Sequence, residues 1–271
     1  MSETTLLIKD LDVGIISEDK SDLILENVHC SVTSGEMHGL VGETGSGKSM
    51  TARSVVGLLP SGISVVSGSI FLQDKDLLEL DEKELSQIRG KEIGMIFQNP
   101  RTALYPLATV ESQITNILKT HLDISSEEIK EKILSILLEV GIDDPERVSR
   151  AFPHELSGGM AQRVVIACAI VCEPKFVIAD EPTTGLDLTI QKQILDLISE
   201  LQENLGLSIL MITHDLGIVA QYCSSVTVLR SGRVVEQGLV DSVLVNPTEQ
   251  YTNQLIESSR LDRLVKRDSN E

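Results

Sequence analysis

The sequence lacks the long apolar segments that mark membrane-spanning and secreted proteins. Its longest apolar run, Val164 to Cys172, is far shorter than the ~20 residues that a helix needs to cross a bilayer. The first ten residues, MSETTLLIKD, have neither the basic start nor the apolar segment of a signal peptide. We therefore expect the chain to stay in the cytosol, so any membrane role depends on partner subunits.

Basic residues are also scarce relative to acidic ones. The 271 residues include 23 Lys and Arg against 41 Asp and Glu, for a net charge of −18. Because such a chain repels a phosphate backbone, no nucleic-acid partner is expected. Hydrophobic residues make up 41% of the sequence, enough for a sizeable core in one domain or one domain plus a subdomain.

Cysteines and aromatic residues are few. The four cysteines form no CxxC pair, and Cys168 and Cys172 lie four residues apart in an apolar stretch, on one helix face. This spacing favours packed core thiols over metal or redox chemistry. Aromatic residues make up 3% of the chain, and the first of them is Phe71.

Three short apolar runs end in polar residues or a glycine-rich loop: Met37–Val41, Phe176–Ala179 and Ile209–Ile212. Runs of this kind are typical of parallel strands buried on both faces. Open α/β sheets bind their ligands at the carboxyl ends of such strands. The pattern predicts an α/β fold with its chemistry at those ends.

Helical patterns lie between these runs. Ser125 and Glu128 predict a capping box for a helix that stops at Gly141, and a helix from Thr189 is expected to end at Gly206. Residues 86–172 have mostly helical patterning and no convincing strand pair. We therefore predict one domain with a catalytic α/β core (1–85 and 173–245), an inserted helical subdomain (86–172) and a short C-terminal tail (246–271).

The strongest chemical signal is a segment that fits G-x-x-x-x-G-K-[ST], formed by Gly42, Glu43, Thr44, Gly45, Ser46, Gly47, Lys48 and Ser49. Its glycines let backbone N–H groups point inward around phosphate oxygens. Lys48 would reach the β- and γ-phosphates, and the Ser49 hydroxyl would ligate Mg²⁺. A chance glycine turn is the alternative, but the strand before the segment and the helix after it favour a site for ATP and Mg²⁺.

A second motif, LSGGMAQR, narrows the class: the sequence here resembles the ABC ATPases, whose signature is LSGGQ, and the resemblance spans nearly the whole chain. Ser157 can cap a helix whose first N–H groups, exposed by Gly158 and Gly159, face an anion. In the family that anion is the γ-phosphate bound to the other subunit. Met160 stands where the family usually has Gln, and a glutamine follows at Gln162. The resemblance implies that Ser157, Gly158, Gly159 and Gln162 contact the nucleotide.

The resemblance also assigns roles at the strand ends. Asp180 would hold Mg²⁺ through its water shell, and Glu181 would orient and deprotonate the attacking water. His214 resembles the switch histidine that contacts the γ-phosphate. Gln98 matches the Q-loop glutamine, a Mg²⁺ ligand, and Asp187 matches the D-loop that crosses the dimer interface.

The stretches FPHELSGGMAQRVVIA and ADEPTTGLDLTIQKQIL are similar to the peptide/nickel importer branch. This similarity implies the ABC ATPase fold: a P-loop NTPase core with a mostly parallel sheet, an N-terminal antiparallel β segment and the inserted helical subdomain. It implies ATP hydrolysis that powers uptake at the cytoplasmic face of the membrane. The implied partners are a second ABC ATPase subunit (heterodimer or homodimer), two transmembrane permease subunits and, indirectly, an extracytoplasmic solute-binding protein. The cargo stays open between peptides and nickel or a metal chelate.

The rival class is a soluble ABC ATPase that acts on nucleic acid or ribosomes. Members of that class usually carry two cassettes and basic or zinc-bearing insertions, whereas this chain has one cassette and an acidic charge.

One departure from the ABC pattern concerns adenine, which the family commonly stacks on an aromatic residue before the phosphate loop. With no aromatic there, Ile15 or Ile16 is expected to cover the base.

Overall fold

The computed structural model describes residues 3–16 and 21–259, the side chains of Ile16 and Ser21 excepted. The chain forms two compact units, residues 1–85 with 208–271, and residues 86–207. We call them the first and second units. The predicted division into an α/β core and a helical subdomain stays a prediction; residues 173–207, assigned to the core in that prediction, belong to the second unit. Within the predicted tail, Gln250–Ser259 is helical, and the residues after Ser259 lie outside the described part of the chain.

The strands, in chain order, are β1 (Thr4–Ile16), β2 (Ser21–Thr33), β3 (Met37–Val41), β4 (Ser64–Leu72), β5 (Lys75–Asp76), β6 (Ile93–Ile96), β7 (Phe176–Asp180), β8 (Ser208–Thr213), β9 (Ser225–Arg230) and β10 (Arg233–Leu239). The helices are α1 (Lys48–Val55), α2 (Glu82–Ile88), α3 (Pro100–Ala103), α4 (Val110–His121), α5 (Ser126–Glu139), α6 (Pro145–Arg150), α7 (Gly158–Ile170), α8 (Leu188–Leu205), α9 (Leu216–Tyr222), α10 (Val240–Val245) and α11 (Gln250–Ser259). No helix in this described part of the chain is long and apolar enough to span a bilayer.

The first unit contains two sets of paired strands. The antiparallel sheet has the order β2-β1-β4-β5. In the other set β3 lies between β8 and β9 and runs parallel to both, while β10 pairs antiparallel with β9. Every residue of β3 and β8 is buried, as the wholly apolar runs predict. The expected antiparallel N-terminal segment and parallel core are both present.

Strands β1 and β2 form a long bulged ribbon. The register between them shifts near Leu11, and Asp10 and Asn27 adopt φ values of 46° and 52°. A bulge adds an unpaired residue and increases the local twist. With these shifts, Leu6, Ile8 and Leu11 are all fully buried. The bulges therefore keep the apolar side of β1 on the core.

The second unit combines six helices with one strand pair, β6 parallel to β7. Residues 86–172 were expected to be mostly helical with no convincing strand pair; they supply the single strand Ile93–Ile96, whose partner lies beyond residue 172. This run has only four residues, and its partner β7 lies about 80 residues further along the chain. The predicted capping box of α5 is confirmed: Ser125 Oγ accepts from the Glu128 N–H (3.3 Å), and Glu128 accepts from the Ser125 N–H (2.7 Å). Helix α8 ends at Gly206 in the left-handed conformation, also as predicted.

A buried polar network crosses the first unit at the start of β3. His38 is 5% exposed; its Nδ1 lies 2.5 Å from Ser225 Oγ and its Nε2 lies 2.9 Å from Thr227 Oγ1. Ser225 also donates to the Glu36 carboxylate. Because Ser225 gives its proton to Glu36, it must accept from His38 Nδ1–H. Burial lowers the pKa of His38 to about 4, although Glu36 opposes the shift.

Candidate functional site

The phosphate loop (residues 42–49) connects β3 to α1 in the first unit. Gly47 has a φ of 110°, and a Cβ there would lie 2.5 Å from Leu25 Cδ2. A Cβ on Gly42 would lie 2.1 Å from the Leu229 carbonyl oxygen on β9. Neither position has room for a side chain. These contacts explain why the loop needs glycine at these two points.

Lys48 lies inside the loop. Its side chain is 5% exposed, and Nζ donates to the carbonyl oxygens of Gly42 (2.7 Å) and Glu43 (3.0 Å). The Ser46 hydroxyl is buried beside it without a hydrogen-bond partner. An ammonium, an unpaired hydroxyl and the first turn of α1 together suit a polyanion. The loop therefore fits the phosphates of a nucleotide.

His214 lies at the adjacent strand end of the same unit. Strands β3 and β8 pair in register, with Val41 opposite Thr213, so the loop and His214 leave neighbouring strands at one edge. Asp215 caps α9 by accepting from the Gly217 N–H at 2.7 Å, and its own N–H donates to Thr213 Oγ1 at 3.0 Å. These bonds fix the backbone on both sides of His214. The first unit thus brings two of the predicted site elements together.

In the second unit, Gln98 and Glu181 meet. Parallel pairing places Ile96 opposite Ala179, and the two polar residues follow at the carboxyl ends of β6 and β7. Gln98 Nε2 donates to Glu181 Oε2 at 2.8 Å, and Thr184 Oγ1 donates to the same oxygen at 3.0 Å. Glu181 has a φ of 45°. Two donors thus orient a carboxylate that is suited to accept a proton from water.

Thr184 was not predicted to contact Glu181. It lies three residues further on, in a turn where its N–H donates to the Glu181 carbonyl oxygen at 3.2 Å. A hydroxyl residue three positions after a carboxylate residue is the sequence signal that could have predicted this contact.

Each predicted metal ligand carries an oxygen atom of a type that suits Mg²⁺. Asp180, the last residue of β7, is 7% exposed. Since Nε2 of Gln98 donates to Glu181, the amide oxygen is the end of that side chain suited to a cation. Carboxylate and amide oxygens are hard donors that Mg²⁺ prefers, and so is the hydroxyl oxygen of Ser49 in the first unit. The residue types, taken one by one, therefore fit the ion.

Ser157 caps α7, as predicted. Its Oγ accepts from the Met160 N–H at 3.3 Å, and Gly158 and Gly159 form the first turn. A Cβ on Gly159 would lie 2.9 Å from Ile190 Cγ2 of α8. The absence of a side chain at Gly159 thus permits the two helices to approach closely. The half-buried first turn retains N–H groups that suit an anion.

Asp187 and Gln162 have surroundings that their predicted roles did not include. Asp187 caps α8, with Oδ1 accepting from the N–H groups of Thr189 (3.1 Å) and Ile190 (3.0 Å). Gln162 is fully buried, and both of its amide atoms lack a hydrogen-bond partner. A fully buried side chain does not contact a nucleotide, so the assignment carried over to Gln162 is not supported. It shares its helix face with buried Val165 and Ile166.

The four cysteines are free thiols. Cys30 and Cys172 are buried, while Cys168 and Cys223 are partly buried. Burial raises the pKa of Cys30, Cys168 and Cys223 to about 12 in each case. Thiols that stay protonated at neutral pH are poor nucleophiles and metal ligands. Packing is therefore the role that the structure supports for them, as predicted.

Comparison with known proteins agrees with this geometry. The family model described as ABC transporter matches residues 25–184. The chain is 45% identical over 256 residues to a peptidoglycan transport ATP-binding protein of Agrobacterium fabrum, covering 94% of this chain and 47% of that protein. It is also 45% identical over 254 residues to an oligopeptide transport ATP-binding protein of Bacillus subtilis, covering 93% of this chain and 71% of the relative.

Among solved structures, the fold is similar to a dimeric post-hydrolysis state of an ATP-binding cassette bound to ADP and Pi. The TM-score is 0.76 at 27% identity, over 87% of this chain and 98% of that one. The chain thus spans less than half of the first relative and nearly all of the solved cassette.

Proposed function

The chain belongs to the ABC transporter family, and from that premise we propose that it is the ATP-binding and ATP-hydrolysing subunit of an importer whose cargo is peptides. The proposal of ATP hydrolysis rests on the Glu181 carboxylate, which accepts hydrogen bonds from Gln98 at 2.8 Å and from Thr184 at 3.0 Å. The observation that supports nucleotide binding is the glycine loop with buried Lys48.

In the proposed reaction, Glu181 accepts a proton from water as the water oxygen attacks the γ-phosphorus. The bond from phosphorus to the β,γ-bridging oxygen breaks, and the products are ADP and phosphate. Lys48 leaves the loop carbonyls and binds the phosphate oxygens, while His214 contacts the γ-phosphate. Most of the catalysis in such a transfer comes from positioning and charge stabilisation.

We further propose that Ser49, Gln98 and Asp180 hold Mg²⁺. When bound, the ion neutralises charge on the β- and γ-phosphates. The chain's own contribution is to present oxygen ligands from a hydroxyl, an amide and a carboxylate. Gln98 would then have two roles, because its nitrogen donates to Glu181 at 2.8 Å and its oxygen would be a ligand for the ion.

The working unit is proposed to be a dimer of two ABC ATPase subunits, with a heterodimer favoured by the importer branch. Ser157, Gly158 and Gly159 would close the nucleotide site of the other subunit, and the Asp187 segment would lie at the interface. Support comes from the first turn of α7, whose cap Ser157 is exposed, and from the solved cassette, described as dimeric. ATPase activity that is independent of concentration and complete in a monomer would contradict this.

The remaining partners are proposed to be two permease subunits, with the chain peripheral on the cytoplasmic face of the membrane and a solute-binding protein outside. The names of the relatives support peptides over nickel or a metal chelate as cargo.

The test is to purify the tagged full chain from membranes of its native host and to measure phosphate release from the reconstituted complex. We expect two permease subunits to co-purify, and an oligopeptide-loaded solute-binding protein to stimulate hydrolysis. Stimulation by a nickel chelate instead would overturn the peptide assignment but leave the ATPase assignment intact. Co-purification of ribosomes or nucleic acid without permeases would favour the soluble rival class.

A further inference from the structure

The phosphate loop is held by a residue 208 positions further along the chain. The Glu43 N–H donates to the Tyr251 hydroxyl at 3.2 Å. Tyr251 belongs to α11, in the C-terminal part of the first unit, and is only 5% exposed. The bond therefore joins the first peptide inside the loop to a buried side chain of the last described helix.

The same peptide unit, which joins Gly42 to Glu43, also holds the loop lysine. Its carbonyl oxygen, that of Gly42, accepts from Lys48 Nζ at 2.7 Å. A planar peptide cannot turn its N–H without turning its carbonyl. The Tyr251 hydroxyl thus fixes the orientation of the group to which Lys48 binds.

Tyr251 is itself held on several sides. The Arg230 guanidinium lies 4.7 Å from the centre of its ring, a cation–π contact. The ring belongs to a buried apolar cluster that includes Val41, just before the loop, and Leu216, just after the His214 segment. A tyrosine packed in this way has few alternative rotamers, so its hydroxyl is a fixed acceptor.

The start of α11 is anchored to β10 by one carboxylate. Glu236 accepts from the Thr248 N–H (2.7 Å), the Thr248 hydroxyl (2.9 Å) and the Glu249 N–H (3.3 Å). These bonds position α11, and α11 positions Tyr251. A continuous set of described contacts therefore runs from β10 to the phosphate loop.

We propose that Tyr251 is a positioning residue for nucleotide binding; this rests on the proposed function. When Lys48 moves from the carbonyl oxygens to the phosphates, the Gly42–Glu43 peptide loses a donor, and the Tyr251 bond keeps that peptide in place. The loop then keeps its shape as its lysine leaves. The Tyr251 hydroxyl stabilises the ATP-bound state of the loop and does not take part in the chemical step.

The experiment compares wild type with Tyr251→Phe, which removes the hydroxyl and keeps the ring over Arg230. The dissociation constant for a fluorescent ATP analogue with Mg²⁺ is measured on the full chain. Loss of one hydrogen bond is expected to weaken binding by about fivefold. In the assembled transporter, KM for ATP should rise by a similar factor with kcat unchanged. The control is Ser258→Ala, on the same helix, whose hydroxyl donates to the Leu255 carbonyl oxygen of that helix.

A direct readout is hydrogen exchange of the Glu43 amide in the nucleotide-free chain, which should be faster in Tyr251→Phe and unchanged in Ser258→Ala. Unchanged ATP affinity in Tyr251→Phe overturns the proposal, and so does weaker binding that is matched by loss of thermal stability or by a fall in kcat. Failure of wild type to bind ATP is a different result, because it removes the proposed function itself.

Discussion

The two units hold their reactive groups in different ways. In the first unit, Lys48 is buried and bonds to backbone carbonyl oxygens within its own loop. In the second, Glu181 is oriented by the side chains of Gln98, 83 residues away, and of Thr184. A group held by backbone depends on loop conformation and hence on the glycines. A group held by side chains can be changed by single side-chain substitutions that leave the backbone intact.

Glu181→Gln should separate binding from hydrolysis more clearly than any other change. The amide keeps the shape of the carboxylate but removes the proton acceptor, so turnover should fall at least ~10²-fold. ATP binding, which belongs to the loop, should survive, and the ATP-bound dimer should live longer. Phosphate release and nucleotide titration measure the two properties. A variant that retains more than about a tenth of wild-type turnover would refute the assignment of Glu181 as the base.

The stability of the first unit should depend on pH through His38. Its pKa is about 4 in the folded chain, against ~6.5 when unfolded, so the unfolded chain binds the proton first as pH falls. Stability contributed by neutral His38 is therefore present above pH ~6.5 and lost towards pH 4. Between pH 7 and 5 the free energy of unfolding should fall by about 2 kcal/mol from this group.

Urea unfolding of wild type and His38→Gln at both pH values measures this contribution. Between pH 7 and 5, the free energy of unfolding of His38→Gln should fall less than that of wild type, and the difference should be about 2 kcal/mol. Glu36 does not titrate in this pH range, because its pKa lies below its ordinary value. Burial raises the pKa of Glu36, but hydrogen bonds from Ser225 and Thr33 lower it by more. An equal pH dependence in both proteins would show that His38 does not titrate as the structure indicates.

Gln98→Ala and Thr184→Ala compare the two donors to Glu181. Each removes one bond to the same oxygen, but Gln98 also presents an amide oxygen to the proposed ion. We expect turnover to fall about tenfold in Gln98→Ala and about threefold in Thr184→Ala, with ATP affinity nearly unchanged. Steady-state ATPase assays over a range of Mg²⁺ concentrations test this. If both changes weaken ATP binding instead, the side-chain contacts and the loop are not independent.

A modest gain in affinity is expected where the adenine base binds. Ile15, on β1, is 49% exposed, and no aromatic residue precedes the loop. Base–aromatic stacking contributes ~1–3 kcal/mol where it has been measured. Ile15→Tyr should tighten ATP binding by about fivefold, the low end of that range, and wild type should bind ATP and GTP within about tenfold of each other. A hundredfold preference for ATP in wild type would mean that another group recognises adenine.

Sequence reasoning predicted the elements whose signals are local. Strands β3, β7 and β8 follow from short apolar runs, and the ends of α5 and α8 follow from caps and glycine. The phosphate loop is a contiguous motif, so its residues could be named before any fold was known. Its glycine requirements were confirmed by close contacts that only the fold supplies.

The contacts between distant segments could not be predicted in the same way. Strand β6 is only four residues long, and its pairing with β7 decides that Gln98 meets Glu181. The Tyr251 bond to the loop spans an even greater separation. Gln162 fits a motif by position, but the helix face on which it lies is buried. Motif position gives residue type and spacing, whereas exposure and partner depend on tertiary packing.

The left-handed backbone of Glu181 has a consequence for protein engineering. A φ of 45° is unfavourable for most side chains, by roughly 1–2 kcal/mol, and glycine avoids this penalty. A library selected for heat resistance alone would therefore enrich glycine at this position, together with the loss of the proposed base. Such variants would resist heat but would not hydrolyse ATP. Laboratory evolution of this cassette therefore has to screen for turnover in every round, because survival on heating rewards the wrong residue at its most important position.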